Sequence, residues 1–224
     1  MADLNGRHLL ITGAAGGLGS AVSQRARELG ATLSLVDLSM PAGADAEQWR
    51  VIDLLDQRSV ASALADVPDV DTLVHLAGGF DMGPAVHELS DENLASMISV
   101  NVTTLLNMAR VIIPRMIARG SGSIVTVGAL SALKGQGQMS AYTAAKSMVM
   151  RLTESMSAEL RDKGINVNCV LPSTIDTPAN RRDMPDADFA KWVSGRELAD
   201  VICFLGSGAA SAIHGALVPV AGRV

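Results

Sequence analysis

A glycine-rich turn set between an apolar run and a helix-forming run constrains this chain more than any other feature. His8-Leu-Leu-Ile11 leads into Thr12-Gly-Ala-Ala-Gly-Gly-Leu-Gly19, which opens into Ser20-Ala-Val-Ser-Gln-Arg-Ala-Arg-Glu-Leu29. The order reads as strand, turn, helix. Gly13 can make the tight turn, Gly17 lets backbone approach a pyrophosphate, and Gly19 lets the helix pack closely on the sheet. Unpaired N–H groups and the positive dipole at such a helix start would hold the phosphates. Glycine-rich turns are widespread, so their surroundings carry the reading. The helix ends at Gly30, and Thr32-Leu-Ser-Leu-Val36 reads as a second strand finishing in Asp37. An acid about 20 residues beyond the glycines is placed to accept hydrogen bonds from an adenosine ribose. A solvated turn residue is the competing reading of Asp37.

Beyond this unit, apolar strands keep alternating with longer amphipathic helices. Strands fall near 7–12, 32–36, 50–53, 71–76, 122–128, 165–171 and 215–220, and helices near 18–29, 57–65, 90–118, 140–163 and 195–206. That alternation predicts an α/β fold, a parallel sheet covered on both faces. No internal repeat, low-complexity tract or linker interrupts it, so residues 1–224 are read as a single domain, a length α/β folds often reach as one unit.

Tyr142-Thr-Ala-Ala-Lys146 places a phenol and an ammonium one helical turn apart. Positions i and i+4 share a helix face, so the Lys146 charge can stand near the Tyr142 oxygen. A free tyrosine titrates near ~10, and a neighbouring cation favours phenolate, which makes the phenol a better proton exchanger. Tyr142 is the chain's only tyrosine. Taken alone, the pair also fits an ordinary surface contact.

Together the glycine turn and the Tyr-Lys pair resemble the short-chain dehydrogenase/reductase family over nearly the whole chain. The resemblance implies a doubly wound Rossmann fold with seven parallel strands in the order 3-2-1-4-5-6-7. It also implies an oxidoreductase in which nicotinamide passes a hydride while Tyr142, assisted by Lys146, passes the proton. It carries NAD(P) contacts onto Thr12, Gly13, Ala15, Gly16, Gly17, Leu18 and Gly19. Asp37 follows on the ribose, then Asp53 and Leu54 after the third strand, where the family has an adenine-contacting acid. Ala77, Gly78 and Gly79 follow the fourth strand, with Tyr142 and Lys146 at the nicotinamide ribose. Asn101 in Ser99-Val-Asn-Val102 matches the family asparagine that holds a relay water. Pro172, Ile175 and Thr177 match the turn at the nicotinamide end. Residues 178–195, with two prolines, mixed charges, Met184, Phe189 and Trp192, stand where the family keeps a substrate-covering loop. A plain surface connection is the alternative there. The helices holding Leu105, Leu106, Met108, Val111 and Ile112, and Met148, Leu152 and Met156, pair with their copies in the family, which implies a homodimer or homotetramer.

One departure narrows the match. The family serine that steadies the developing oxyanion falls on Ala129, in Val127-Gly-Ala-Leu-Ser131. Loss of one such donor can cost on the order of 10²–10³ in rate. Three readings follow. Ser131 substitutes, since i and i+2 share a face in extended chain; or the acceptor needs no donor; or the chain is a non-catalytic NAD-binding regulator or scaffold. The second has a precedent in the dihydropteridine reductase branch, which also carries alanine here, uses NADH and reduces a conjugated quinonoid ring. The chain resembles that branch in Ala129, in Asp37, in Gly78-Gly79-Phe80 and in the wording of Asp176–Phe189.

NADP binding wants a cation near the ribose 2′-phosphate, whereas Asp37 would repel that phosphate and bond a free 2′-hydroxyl. Ala14, Ala15 and Gly16 supply no cation. NAD(H) is therefore expected over NADP(H). A net charge of −5 shows no basic footprint for nucleic acid or an anionic membrane. No apolar run is read as a bilayer span and no leader is apparent, so a cytoplasmic protein acting on a small molecule is expected. Cys169 and Cys203 read as core thiols. His8, His75, His87 and His214 lack paired metal spacing, so no metal site is expected. His75 closes the fourth strand, beside the expected cofactor cleft.

Overall fold

The computed structural model describes residues 2–224. In chain order the elements begin β1 (His8–Thr12), α1 (Gly17–Glu28), β2 (Thr32–Asp37), β3 (Trp49–Val51), α2 (Gln57–Ala63) and β4 (Thr72–His75). They continue with α3 (Asp91–Ile98), α4 (Thr104–Arg119), β5 (Gly122–Val127), α5 (Ser140–Leu160) and β6 (Ile165–Pro172). The last are β7 (Ile175–Asp176), α6 (Pro178–Asp183), β8 (Val193–Ser194), α7 (Gly195–Leu205) and β9 (Leu217–Val220).

Seven strands form one parallel sheet in the order β3-β2-β1-β4-β5-β6-β9. This is the expected order; the last strand is ninth in the chain because the short β7–β8 pair intervenes. The central strands are rich in apolar residues because both faces are covered, and the side-chain period of two splits those residues between two cores. Leu10, Leu73, Ile124 and Val167 face α3, α4 and α5. Leu9, Ile11, Val74, Val125 and Val170 face α1 and α7. Both thiols are buried and free, Cys203 in the second of these cores and Cys169 in a smaller cluster with Ala129 and Leu171.

Three expectations change in detail. The predicted helix over 90–118 is two α-helices joined without a break by a wide π-type turn at Ser99–Thr103. Its span Asp91–Arg119 is, by length and composition, long and apolar enough to cross a bilayer, contrary to the sequence reading. Leu105, Met108, Ile112 and Met116 are fully buried against the sheet, which accounts for that apolarity. Residues 178–195 are ordered. Pro178 starts α6 behind the Thr177 cap, Arg181 holds Asp176 through two hydrogen bonds at 2.6 and 2.7 Å, and Val193–Ser194 pairs with Ile175–Asp176.

The strand order reverses direction between β1 and β4, and in open parallel sheets the crevice at such a switch point takes ligands. The glycine turn leaves β1 at that place.

Candidate active site

Close packing explains Gly13, Gly17 and Gly19 of the turn. Gly13 has φ +68°, and a Cβ there would stand 2.8 Å from Ala77 N. At Gly19 a Cβ would run into the Gly13 carbonyl and approach Ala14 Cα to 2.6 Å, so only hydrogen lets α1 start this near the turn. A Cβ on Gly17 would reach 3.2 Å from the Thr177 methyl. No side chain caps α1, and Ser20 N–H is the first in this turn of helix to bond, to Gly16 O at 2.9 Å. The N–H groups of Gly17, Leu18 and Gly19, the first three of α1, have no carbonyl behind them, which makes an anion cradle.

A cavity of about 570 Å³ runs from this turn across the strand ends. Of the residues singled out from sequence, Gly13, Ala15, Gly16, Gly17, Leu18, Gly19, Asp37, Asp53, Leu54, Ala77 and Gly78 line it. Leu38, Ile52, Leu55, Leu76, Val100 and Thr104 also line it, and sequence reasoning missed them. Leu38 adjoins Asp37 and Leu55 adjoins Leu54, so both were legible by adjacency; Val100 reaches the cavity from the wide turn and Thr104 from the start of α4. Asp37 Oδ2 accepts from Ala15 N at 2.9 Å and Oδ1 from Leu38 N at 2.7 Å, which fixes the carboxylate at the rim. Asp53 Oδ1 accepts from Leu55 N at 2.9 Å. Thr12 lies beneath the cavity, its hydroxyl accepting from Leu76 N and Ala77 N. Cavity size, cradle and carboxylate together fit a dinucleotide.

At the other end Gly78 brings two predicted residues together. A Cβ on it would stand 2.7 Å from Asn101 Oδ1 and 3.3 Å from Lys146 Nζ. Asn101 is buried in the wide turn, donating to Gly79 O and Met97 O and accepting from Gly79 N. Lys146 Nζ donates to Val127 O at 3.0 Å and lies 6.0 Å from the centre of the Tyr142 ring. The two residues do share a helix face, but the expected lowering of the tyrosine pKa is reversed. Burial pushes the Tyr142 phenol up to about 12, and burial likewise pushes Lys146 down to about 8. Desolvation is what moves the phenol, and the Lys146 ammonium is held on Val127 O.

Apolar side chains pack on one side of Tyr142. Ala129 is buried with Met150, Cys169 and Leu171, and Tyr142 packs on that cluster. Phe80 stands edge-on to the Tyr142 ring at 5.0 Å between centroids and is 61% exposed. Ser131 does not lie two residues along an extended strand: the chain turns at Leu130–Leu133, so the geometric premise for its substitution is absent. Pro172, Ile175 and Thr177 do not line the cavity; Thr177 reaches it only through its methyl contact at Gly17.

Comparison with known proteins agrees with this geometry. The family model described as short chain dehydrogenase matches residues 7–188. The chain is 32% identical to cis-4-hydroxycyclohexanecarboxylate dehydrogenase of Sinomonas cyclohexanicum, over 96% of this chain and 95% of that protein. Among solved structures, a 3-oxoacyl-[acyl-carrier protein] reductase from Brucella melitensis with bound NAD superposes with a TM-score of 0.88 at 28% identity, covering 98% of this chain and 91% of that one. A protein assigned as an NAD(P)-dependent gluconate 5-dehydrogenase from Beutenbergia cavernae, with NADP at low occupancy, gives 0.89 at 27% identity, covering 98% and 97%.

Proposed function

Because the chain belongs to the short chain dehydrogenase family, whose members are oxidoreductases that bind NAD(P)(H), we propose that it transfers hydride between NAD(H) and a small acceptor whose charge is spread over a conjugated C=N or quinonoid system. The observation that carries this reading is the apolar wall at Tyr142, where the buried Ala129 methyl stands in place of a hydroxyl donor.

Bound NADH supplies the hydride. Tyr142 supplies the proton: with its pKa at about 12 the phenol stays protonated at neutral pH, which suits the reducing direction. Lys146, as the cation beside it, favours release of that proton. A simple ketone concentrates negative charge on one oxygen and wants a fixed donor there. A conjugated ring delocalises that charge, and the exposed Phe80 ring offers it an aromatic partner. Asp37 supports NAD(H) over NADP(H), since its fixed carboxylate would face a 2′-phosphate.

NADH oxidation with a panel of ketones, imines and a quinonoid dihydropterin tests this. Turnover of the dihydropterin is expected, with Tyr142→Phe slowing it by roughly 10²–10⁴ and leaving NADH binding intact. Turnover confined to ketones, raised strongly by Ala129→Ser, would replace the reading with a ketone reductase. NADH binding with no turnover at all would mark a regulator.

We also propose a homodimer or homotetramer built on α4 and α5. Their exposed or half-buried Met148, Leu106, Val111 and Leu152 are available for such a contact, whereas Leu105, Met108, Ile112 and Met156 are committed to the chain's own core. A monomer by sedimentation would refute it.

A further inference from the structure

His75 ends β4 fully enclosed, and its hydrogen bonds fix every proton around it. Thr12 Oγ1 accepts from Leu76 N at 3.2 Å and from Ala77 N at 3.1 Å, so its own proton goes to His75 Nδ1 at 3.0 Å. Nδ1 is thus bare and Nε2 carries the hydrogen, which it donates to Thr104 Oγ1 at 3.3 Å. Thr104 Oγ1 in turn donates to Val100 O at 2.8 Å. The chain of bonds therefore runs in one direction, from the backbone after β4 through the glycine-turn threonine and the imidazole to the wide turn at Ser99–Thr103. Burial, with the Lys146 charge adding to it, holds the imidazole pKa at about 3, in keeping with that single tautomer.

We propose that His75 is a positioning residue for the dinucleotide, holding the glycine turn and the wide turn at a fixed separation across the cavity floor. Both ends of the relay bear on cavity-lining backbone. Gly13 packs on Leu76 and Ala77, Val100 packs within 3.2 Å of a Cβ placed on Gly79, and Asn101, the next residue, meets Gly78. A side chain that bonded only one end would leave the wide turn free to shift relative to the phosphate cradle. The proposal rests on the dinucleotide reading of the cavity but is independent of the acceptor.

The test is NADH affinity by fluorescence titration, without any acceptor, together with the melting temperature of each variant. His75→Asn keeps an acceptor for Thr12 at the place of Nδ1 but does not reach Thr104; Thr104→Val cuts the same arm from the other side. Each is expected to weaken NADH binding about tenfold, and the double variant no further than either single one, because both break one connection. The ¹⁵N shifts of the wild-type imidazole should report a bare Nδ1 and a protonated Nε2 at neutral pH. Wild-type affinity in both variants, fully additive losses, or losses that track the melting temperature would overturn the proposal. Failure of the wild-type chain to bind NADH would instead refute the functional reading on which it rests.

Discussion

Lys146 shows how a residue recognised from sequence can behave differently once packed. Its spacing from Tyr142 was legible, and so was its helix face; the direction in which each pKa moves was not, because desolvation depends on what the fold places around the pair. With its folded pKa lowered from 10.5 to about 8, Lys146 favours the folded state above the unfolded value, and that contribution is lost as pH falls toward about 8. Between those limits stability due to this residue rises with pH by a few kcal/mol. Activity should run the other way. If the ammonium assists proton release, NADH-dependent reduction should decline as pH climbs through about 8 while thermal stability attributable to Lys146 improves. Paired rate and melting profiles of wild type and Lys146→Met would check this, and a wild-type rate still level at pH well above 8 would remove the ammonium from the chemistry. Ala129 was equally legible as a departure, yet only the tertiary structure buries its methyl with Met150, Cys169 and Leu171 beside Tyr142.

Helices and strands were legible where a hydrophobic period repeats, and less so where two elements join without a change of period. The apolar pattern runs on through Ser99–Thr103, so 90–118 reads as one helix although the backbone widens there and turns Val100 and Thr104 toward the cavity. Residues 178–195 lack a period because their order comes from local polar bonds. Thr177 caps α6, Arg181 grips Asp176 and lies 4.8 Å from the Phe189 ring. The clearest such device starts α7. Ser194 Oγ accepts from Glu197 N at 3.1 Å while Ser194 N donates to Glu197 Oε2 at 3.0 Å, a reciprocal cap. Ser194→Ala should cost about 1 kcal/mol, lowering the melting temperature by roughly 2–4 °C in a chain of this size. Calorimetry would measure it, and no change would mean that packing of α7 on α1, with Leu198, Ala199 and Ile202 buried, carries the helix without its cap.

At the scale of the molecule the cavity exists because the strand order turns back between β1 and β4, leaving the glycine turn, Asp37, Asp53 and Ala77-Gly78 on one rim. A ligand that joins these segments stabilises all of them. At about a hundred times its dissociation constant NADH should add ~2.7 kcal/mol, a rise of roughly 5–10 °C in melting temperature. NADPH at the same concentration should give less than half that rise, and Asp37→Ala should narrow the gap. An equal or larger shift with NADPH would reverse the cofactor assignment. By itself the sequence determined the βα alternation, the glycine turn, the acid after β2 and the Tyr-Lys pair, since each depends on residue types at short spacing. Only the tertiary structure decided the pKa direction of that pair, the wide turn that brings Asn101 to Gly78, and the passage through His75. These are set by burial and by contacts between residues tens of positions apart, which no local pattern records.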